Sequence, residues 1–300
     1  MRMASHSETV LVTGCGGFTG RYLLTHLRQA GYRVVGLSHN QANGPDELEC
    51  DITSPEQLDR VLTATRPNYI IHLAGISFVS HGNAREIYQV NLFGTLNLLD
   101  AVLRARLSPH KIIIASSANI YGNPQVELID EDVCPAPINH YGVSKLAMEH
   151  MVRTYCDQLD ILITRPFNYT GPGQAQRFVI PKIVNHFRER RRFIELGNLD
   201  VVRDFCDVRA VVDAYLQLMQ CEADADVVNI CSGRGIALSD IISTLNAIAG
   251  YDIEVRINPE FVRRNEIKRL IGDKRRLCSL IGTRPEYDIQ DTLRMMYQTL

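Results

Sequence analysis

A tyrosine and a lysine four residues apart, in Tyr141-Gly142-Val143-Ser144-Lys145, are the residues of this chain best suited to moving a proton. On a helix that spacing puts both on one face. An ammonium beside a phenol favours the phenolate, which brings the tyrosine toward use as a general acid and base near neutral pH. The same pair on an exposed helix would do nothing, so the upstream sequence matters. Ile112-Ile113-Ile114-Ala115-Ser116-Ser117 ends an apolar strand on two hydroxyls. Open α/β sheets bind ligands at the carboxyl ends of their strands. Ser117 is therefore placed to hydrogen-bond a substrate oxygen that Tyr141 protonates. Ser117, Tyr141 and Lys145 are the candidate catalytic residues.

A second group of residues suits an anion. Gly14, Gly17 and Gly20 form G-x-x-G-x-x-G after the strand-like run Thr9-Val10-Leu11-Val12 and before a helical pattern from Arg21 to Ala30. The first glycine permits a tight turn, the second lets backbone approach a pyrophosphate, and the third lets helix pack close to strand. The N–H groups of the helix start, around Phe18 and Thr19, then face the anion. A dinucleotide is the expected ligand. NAD enzymes usually carry an acidic residue at the end of the second strand. Here that end is Gly36-Leu37-Ser38-His39-Asn40. Ser38 and Asn40 suit a 2′-phosphate or a hydroxyl, and no arginine follows directly. NADP(H) is the expected cofactor, with NAD(H) left open. Asp51, just before Ile52, is either an acceptor for the adenine amino group or a turn residue. Leu73-Ala74-Gly75 ends a further strand in small residues that let a dinucleotide lie close.

These residues need a scaffold, and the 300-residue chain has room for one. Apolar strands at 33–37, 69–73, 111–115 and 161–165 alternate with helices at 55–65, 84–105 and 141–159. Ser54 is the expected N-cap of the first of these, with Pro55 in its first turn. Continuous apolar strands alternating with helices imply an α/β fold, a doubly wound parallel sheet of Rossmann type covered on both faces. Residues 1–166 are expected to form the dinucleotide domain. Residues 167–300 are expected to form a smaller mixed α/β substrate region, with about 200–232 returning to the Rossmann core. Its expected elements are helices at 180–190, 239–249, 275–281 and 289–300 and strands near 227–230 and 253–257. Arg188 to Arg192 suit a solvated helix end. Lys+Arg 32 against Asp+Glu 34 lacks the basic excess of a nucleic-acid binder. No apolar run is long enough to span a membrane and no secretory signal opens the chain, so a cytoplasmic protein is expected. The eight cysteines form no C-x-x-C pair and suit buried thiols rather than a metal site or disulfides.

Glycine turn, strand-end serine and Y-x-x-x-K in this order resemble the extended short-chain dehydrogenase/reductases, in the branch that modifies nucleotide sugars. The resemblance runs through TGCGGFTG, HLAG, VNLFGT, SSANIYG, YGVSK, RPFNYTGPGQ and VVRDFCDVRAVVDAY. It implies that Ser117, Tyr141 and Lys145 are the catalytic triad and that Lys145 also binds the nicotinamide ribose. Asn91 would support the lysine through water, or simply hold a helix in register. The C-terminal segments are similar to the GDP-mannose group, with Arg264 where that group usually has proline.

Chemistry within the branch is argued from the site. Dehydratases of this family carry carboxylates in the segment that here is Ser116-Ser117-Ala118-Asn119-Ile120-Tyr121-Gly122. Alanine has no proton to give, and an amide is no base near neutrality. The resemblance then implies reduction of the C4 ketone of GDP-4-keto-6-deoxy-D-mannose to GDP-D-rhamnose, or its 4-epimer, with NAD(P)H. The alternatives are a 4-epimerase with retained NAD, a 4,6-dehydratase and a non-catalytic NADP-binding protein. For the substrate's phosphates Arg203 is the first candidate, the other reading being an ion pair with Asp204. Lys182 and Arg263 follow. Glu266 suits the ribose hydroxyls, Asn168 a phosphate or the sugar, and Val179 with Ile180 would close over the nucleotide. A homodimer through the helices at 84–105 and 141–158 is expected from the resemblance, although the apolar stretch Leu92–Leu103 is equally compatible with burial inside one chain.

Overall fold

The computed structural model describes residues 8–39, 44–77, 82–222, 226–262, 267–283 and 286–299. In chain order the first strands are β1 (Thr9–Thr13), β2 (Arg33–Ser38), β3 (Glu47–Glu49), β4 (Tyr69–His72), β5 (Lys111–Ala115) and β6 (Ile161–Pro166). After them come β7 (Asn168–Thr170), β8 (Phe193–Leu196), β9 (Val202–Asp207), β10 (Val227–Ile230), β11 (Gly235–Ala237), β12 (Glu254–Ile257) and β13 (Arg269–Leu270). The helices are α1 (Phe18–Gln29), α2 (Pro55–Thr65), α3 (Ala84–Tyr88), α4 (Gly94–Arg104), α5 (His140–Arg153) and α6 (Val179–Arg188), then α7 (Val208–Gln220), α8 (Leu238–Ala249), α9 (Arg275–Ile281) and α10 (Ile289–Gln298).

Seven strands form one parallel sheet in the order β10-β6-β5-β4-β1-β2-β3. Its central strands are continuous apolar runs because both faces are covered. Leu23, Leu24 and Leu27 of α1 pack with Val211, Val212 and Tyr215 of α7 on one face. Leu58 and Leu62 of α2, Leu98, Leu99 and Val102 of α4 and Met148 and Val152 of α5 pack on the other. Strand order reverses between β1 and β4, so a crevice opens beyond Thr13 and His72, where such sheets bind ligands.

Beyond Pro166 the chain makes two small sheets. In one, β9 pairs with β7, β11 and β13; in the other, β8 pairs with β12. Helices α6, α8 and α10 bury Ile183, Phe187, Leu245 and Leu293 against them. Of the segment at 200–232, α7 and β10 lie in the layers of the large sheet, while β9 lies in a small one.

Several local expectations change. The helix at 84–105 is α3 and α4 joined by a π turn, Gln89–Phe93. The helix at 141–159 ends at Arg153. Ser54 has extended backbone before α2, but its hydroxyl donates to Glu56 Oε2 at 3.1 Å rather than capping a helix N–H. The apolar residues Leu98, Leu99, Ala101 and Val102 are buried within the chain itself. All eight cysteines are unpaired; Cys15, Cys50, Cys206 and Cys231 are buried, whereas Cys134 and Cys156 are exposed. Burial pushes the thiols of Cys15 and Cys50 up to about 11. Among the described residues no helix is long and apolar enough to cross a membrane.

Candidate active site

The floor of the crevice is the glycine turn. Gly14 has φ +72°, and a Cβ there would lie 2.8 Å from Ala74 N, inside the backbone that leaves β4. Gly20 is tighter: a Cβ would stand 2.4 Å from Gly14 O and 2.6 Å from Cys15 Cα. Helix α1 therefore presses directly onto the turn, and Gly17 at its N-cap has no side chain to occupy the helix N–H groups. Gly16 is a residue the sequence reading missed. A Cβ there would meet Ser38 Oγ at 2.9 Å, so the turn and the end of β2 form one surface. This bare, N–H-rich cradle fits the pyrophosphate of a dinucleotide. Ser38 is buried at its edge. Asp51 accepts from Thr53 N at 2.8 Å and Thr53 Oγ1 at 2.7 Å. Partial burial works against its charge, but those bonds hold the carboxyl below its ordinary range. Ile52 packs its Cδ1 where a Cβ on Gly94 would be. Asn40 lies outside the described residues.

A hydrogen-bonded chain runs from this turn toward α5. Ala74 N–H donates to Thr13 Oγ1 at 3.1 Å, and Leu73 N–H to Thr13 O at 3.2 Å. Thr13 Oγ1 lies 2.7 Å from His72 Nδ1, and His72 Nε2 lies 2.9 Å from Thr95 Oγ1. The Thr95 hydroxyl spends its hydrogen on Asn91 O at 2.8 Å. It must then accept from His72 Nε2–H, which leaves Nδ1 to accept from Thr13. Burial and the nearby Lys145 bring the imidazole down to about 3, so it stays neutral. Asn91 sits on the π turn and is fully buried. Its Oδ1 accepts from Ile76 N at 2.8 Å, and its Nδ2 donates to Ile76 O at 3.2 Å and Ser144 Oγ at 3.1 Å. Ser144 Oγ in turn donates to Tyr141 O at 2.8 Å. Asn91 thus ties strand end to helix by direct bonds. A Cβ on Gly75 would lie 3.0 Å from Asn91 Oδ1 and 3.4 Å from Lys145 Nζ, so a side chain there would crowd both groups.

Ser117, Tyr141 and Lys145 come together here, all three buried. Ser117 opens a 3-10 turn, Ala118–Tyr121, just beyond β5. Asn139 caps α5 by accepting from Gly142 N at 2.8 Å, and this starts the helix that carries Tyr141 and Lys145. Gly142 is required: a Cβ would lie 2.7 Å from Asn119 O, so the serine turn and the catalytic helix touch backbone to backbone. Lys145 Nζ donates to Ala115 O at 2.7 Å. Burial brings this amine down to about 8, with Glu149 opposing the shift.

The tyrosine departs from expectation. Burial pushes Tyr141 up to about 12, partly offset by the Ser117 side chain. The expected lowering by the lysine does not act on it: the ring is enclosed, and the ammonium donates to the Ala115 carbonyl instead. A phenol held protonated is a proton donor in readiness.

Beneath the site, Arg165 of β6 donates to Glu149 of α5 through Nε at 3.0 Å and Nη2 at 2.7 Å. Its Nη1 reaches Tyr121 Oη at 2.9 Å and Glu131 O at 3.1 Å. Tyr121 donates to Asn229 Oδ1 at 2.8 Å. This buried network pins α5 and the serine turn to the sheet.

On the substrate side, Tyr169 is another residue the sequence reading passed over, though it stands in the Asn168-Tyr169-Thr170 run. Its hydroxyl bonds Thr19 Oγ1 at 2.8 Å, and its ring stacks on Phe18 at 6.2 Å. Asn168 on β7 is half-buried and makes no side-chain hydrogen bond among the described residues. Val179 is 38% exposed at the start of α6, while Ile180 is buried. Lys182 donates to Glu195 O at 2.8 Å and lies 4.5 Å over the Phe261 ring. Arg203 does not pair with Asp204. It donates to the carbonyls of Val202 at 3.0 Å, Lys268 at 3.2 Å and Ile267. Asp204 is buried instead against the N–H groups of Ser232, Gly233 and Gly272. The candidates Arg263 and Glu266 lie outside the described residues.

A doubly wound sheet with a glycine cradle at its switch point and a buried Ser-Tyr-Lys set beside it defines a dinucleotide-dependent oxidoreductase scaffold of the short-chain dehydrogenase/reductase kind. More narrowly, the chain belongs to the family described as GDP-mannose 4,6 dehydratase, whose pattern matches residues 11–296. It is 35% identical to GDP-6-deoxy-D-talose 4-dehydrogenase of Aggregatibacter actinomycetemcomitans, over 96% of this chain and 97% of that one. It is 34% identical to GDP-6-deoxy-D-mannose reductase of Pseudomonas aeruginosa, over 96% and 95%. Among solved structures it is similar to RMD from Pseudomonas aeruginosa complexed with NADPH, at 31% identity and TM-score 0.86, covering 97% of this chain and 98% of that one.

Proposed function

We propose that this chain reduces the C4 ketone of GDP-4-keto-6-deoxy-D-mannose, giving GDP-D-rhamnose or its 4-epimer, with NADP(H) preferred over NAD(H). The observation that carries the reading is the buried set Ser117, Tyr141 and Lys145 at the crevice, with Ala118 and Asn119 where an eliminating enzyme needs carboxylates. A bound nicotinamide supplies the hydride to C4. The chain does the rest. Tyr141 gives its proton to the oxygen that was the ketone, Ser117 orients that oxygen, and Lys145 anchors the cofactor ribose and stabilises the phenolate left behind. The phenol is then reprotonated from solvent.

Gly14, Gly17, Phe18, Thr19 and Gly20 take the pyrophosphate, Ser38 the adenine ribose, and Leu73, Ala74 and Gly75 lie along the nicotinamide half. Asn168, Lys182 and Arg203 serve the nucleotide sugar. Residues 1–166 form the cofactor region and 167–300 mainly the sugar region. The family relationship and the two GDP-sugar relatives support this substrate class. We further propose a homodimer formed across the segment from α3 to α4 and α5, where Phe93 of the π turn is 46% and Val143 39% exposed. A cytoplasmic setting keeps the eight unpaired thiols reduced.

The test is to offer GDP-4-keto-6-deoxy-D-mannose with NADPH or NADH and follow loss of reduced nicotinamide absorbance. Stoichiometric consumption, with NMR of the product to assign C4, is expected. If nothing is consumed while a control reductase works, the reading fails. Cofactor that stays bound and oxidised through purification would then favour a 4-epimerase.

A further inference from the structure

We infer that Asn119 sets the direction of the Ser117 hydroxyl, making it a donor toward the Tyr141 phenol, and so acts as a positioning residue for the reduction proposed above. A serine hydroxyl has one hydrogen and two lone pairs. Asn119 N–H donates to Ser117 Oγ at 3.2 Å, and Asn119 Nδ2–H donates to the same oxygen at 3.2 Å. Both lone pairs are engaged, so the single hydrogen is left for a third partner, and Tyr141 is the group whose phenolate the Ser117 side chain favours. Donation onto the phenol oxygen eases loss of the phenolic proton, opposing the burial that holds it.

The turn carrying Asn119 is fixed. Its neighbours Ala118, Ile120 and Tyr121 are buried, and the Asn119 carbonyl abuts Gly142, next to Tyr141 on α5. A carboxylate at this position would have the same shape and the opposite polarity. It would accept from Ser117, turn the hydroxyl away from Tyr141 and place negative charge beside the phenol. The amide therefore orders a sequence of donors: Asn119 N–H to Ser117, Ser117 O–H to Tyr141, and Tyr141 O–H to the substrate oxygen.

The closing experiment is the isosteric substitution Asn119→Asp, with Asn119→Ala beside it, followed by steady-state kinetics from pH 5 to 9. Near pH 8, Asn119→Asp is expected to lower kcat about tenfold to a hundredfold, the scale of one lost and one misdirected hydrogen bond, with KM for both substrates little changed. Acidification should restore kcat in Asn119→Asp, because a protonated carboxyl donates as the amide does, and should not restore it in Asn119→Ala. Equal losses at every pH in both variants would assign Asn119 a purely structural role and overturn the inference. Neutron diffraction of the wild-type protein locates the Ser117 deuteron whatever the substrate is. A deuteron on the Ser117–Tyr141 line supports the inference, and one aimed at Asn119 defeats it. Wild-type protein that ignores the ketone would sink the proposed function alone, and the deuteron would still decide the role of Asn119.

Discussion

The Thr13 hydroxyl donates to His72 Nδ1 across 2.7 Å, joining the end of β1 to the end of β4 at the point where strand order reverses. With both imidazole nitrogens engaged and the ring buried, His72 is held as one neutral tautomer. It carries position from the glycine turn through Thr95 to Asn91 and on to the backbone of Tyr141.

A pH signature follows. His72 titrates near 3 in the folded chain and near 6.5 when unfolded. Below 6.5 the unfolded chain binds the extra proton first, so this residue takes stability away as pH falls from about 6.5 to 3. Thermal melts of His72→Gln should show a shallower loss over that window, together with a lower starting Tm. Parallel pH curves for variant and wild type would remove His72 from this role.

Lys145 gives the opposite limb. Its amine is an ammonium below about 8 and neutral above. Turnover that depends on the ammonium should fall as pH rises through 8, whereas stability should rise between 8 and 10.5, because the unfolded chain then holds the proton that the folded chain has shed. Lys145→Arg stays charged over this range, so its residual activity should lack the alkaline limb. Tyr141→Phe removes the proton donor itself and should cut kcat by about 10²- to 10⁴-fold while leaving NADPH binding, read by fluorescence titration, nearly intact.

The Arg165–Glu149 pair is almost wholly buried, at 3% and 1% exposure of the two side chains. Removing one partner strands the other charge. Glu149→Ala should cost about 3–5 kcal/mol in chemical denaturation. The double change Glu149→Leu with Arg165→Met should be much less destabilising than the sum of the two single changes. Full additivity would mean that the two residues do not act as a pair.

Cofactor choice is open to a single substitution. Ser38 ends β2 beside Gly16 with no carboxylate for a ribose hydroxyl. Ser38→Asp places a negative charge where a 2′-phosphate would sit. It should shift the NADPH to NADH ratio of kcat/KM by about tenfold or more toward NADH, the scale of one charged hydrogen bond gained by one cofactor and repulsion met by the other. An unchanged ratio would show that Ser38 does not face the adenine ribose.

The large sheet was legible in the sequence because buried parallel strands are apolar throughout and glycine marks their turns. Strands such as Ile112 to Ala115 and Val227 to Ile230 announce themselves. Strand β9 does not, because Val202-Arg203-Asp204-Phe205-Cys206-Asp207 carries three charged residues, of which Arg203 and Asp204 meet backbone groups far along the chain and Asp207 meets Arg209 and the Thr292 hydroxyl. The grouping of Ser117, Tyr141 and Lys145 was legible from type and spacing. What surrounds it was less so. The contact of Gly16 with Ser38 and that of Tyr169 with Thr19 join segments 22 and 150 positions apart, and no local pattern records them. Asn119 was noticed for the acid it is not, and its bond to Ser117 appears only once the 3-10 turn folds it back.

The π turn at Gln89–Phe93 has a final consequence. Ile87, Asn91, Thr95 and Leu99 are all buried, a stripe with a strict spacing of four. In an α-helix of 3.6 residues per turn such positions drift steadily around the axis. One wider turn absorbs the drift and keeps the stripe straight, so that Asn91 meets the catalytic helix while Leu99 still meets the sheet. Length, more than composition, is then the property of this segment that has to be kept. Deleting a single residue between Ile87 and Thr95 would leave an excellent helix and swing the asparagine away from Ile76 and Ser144.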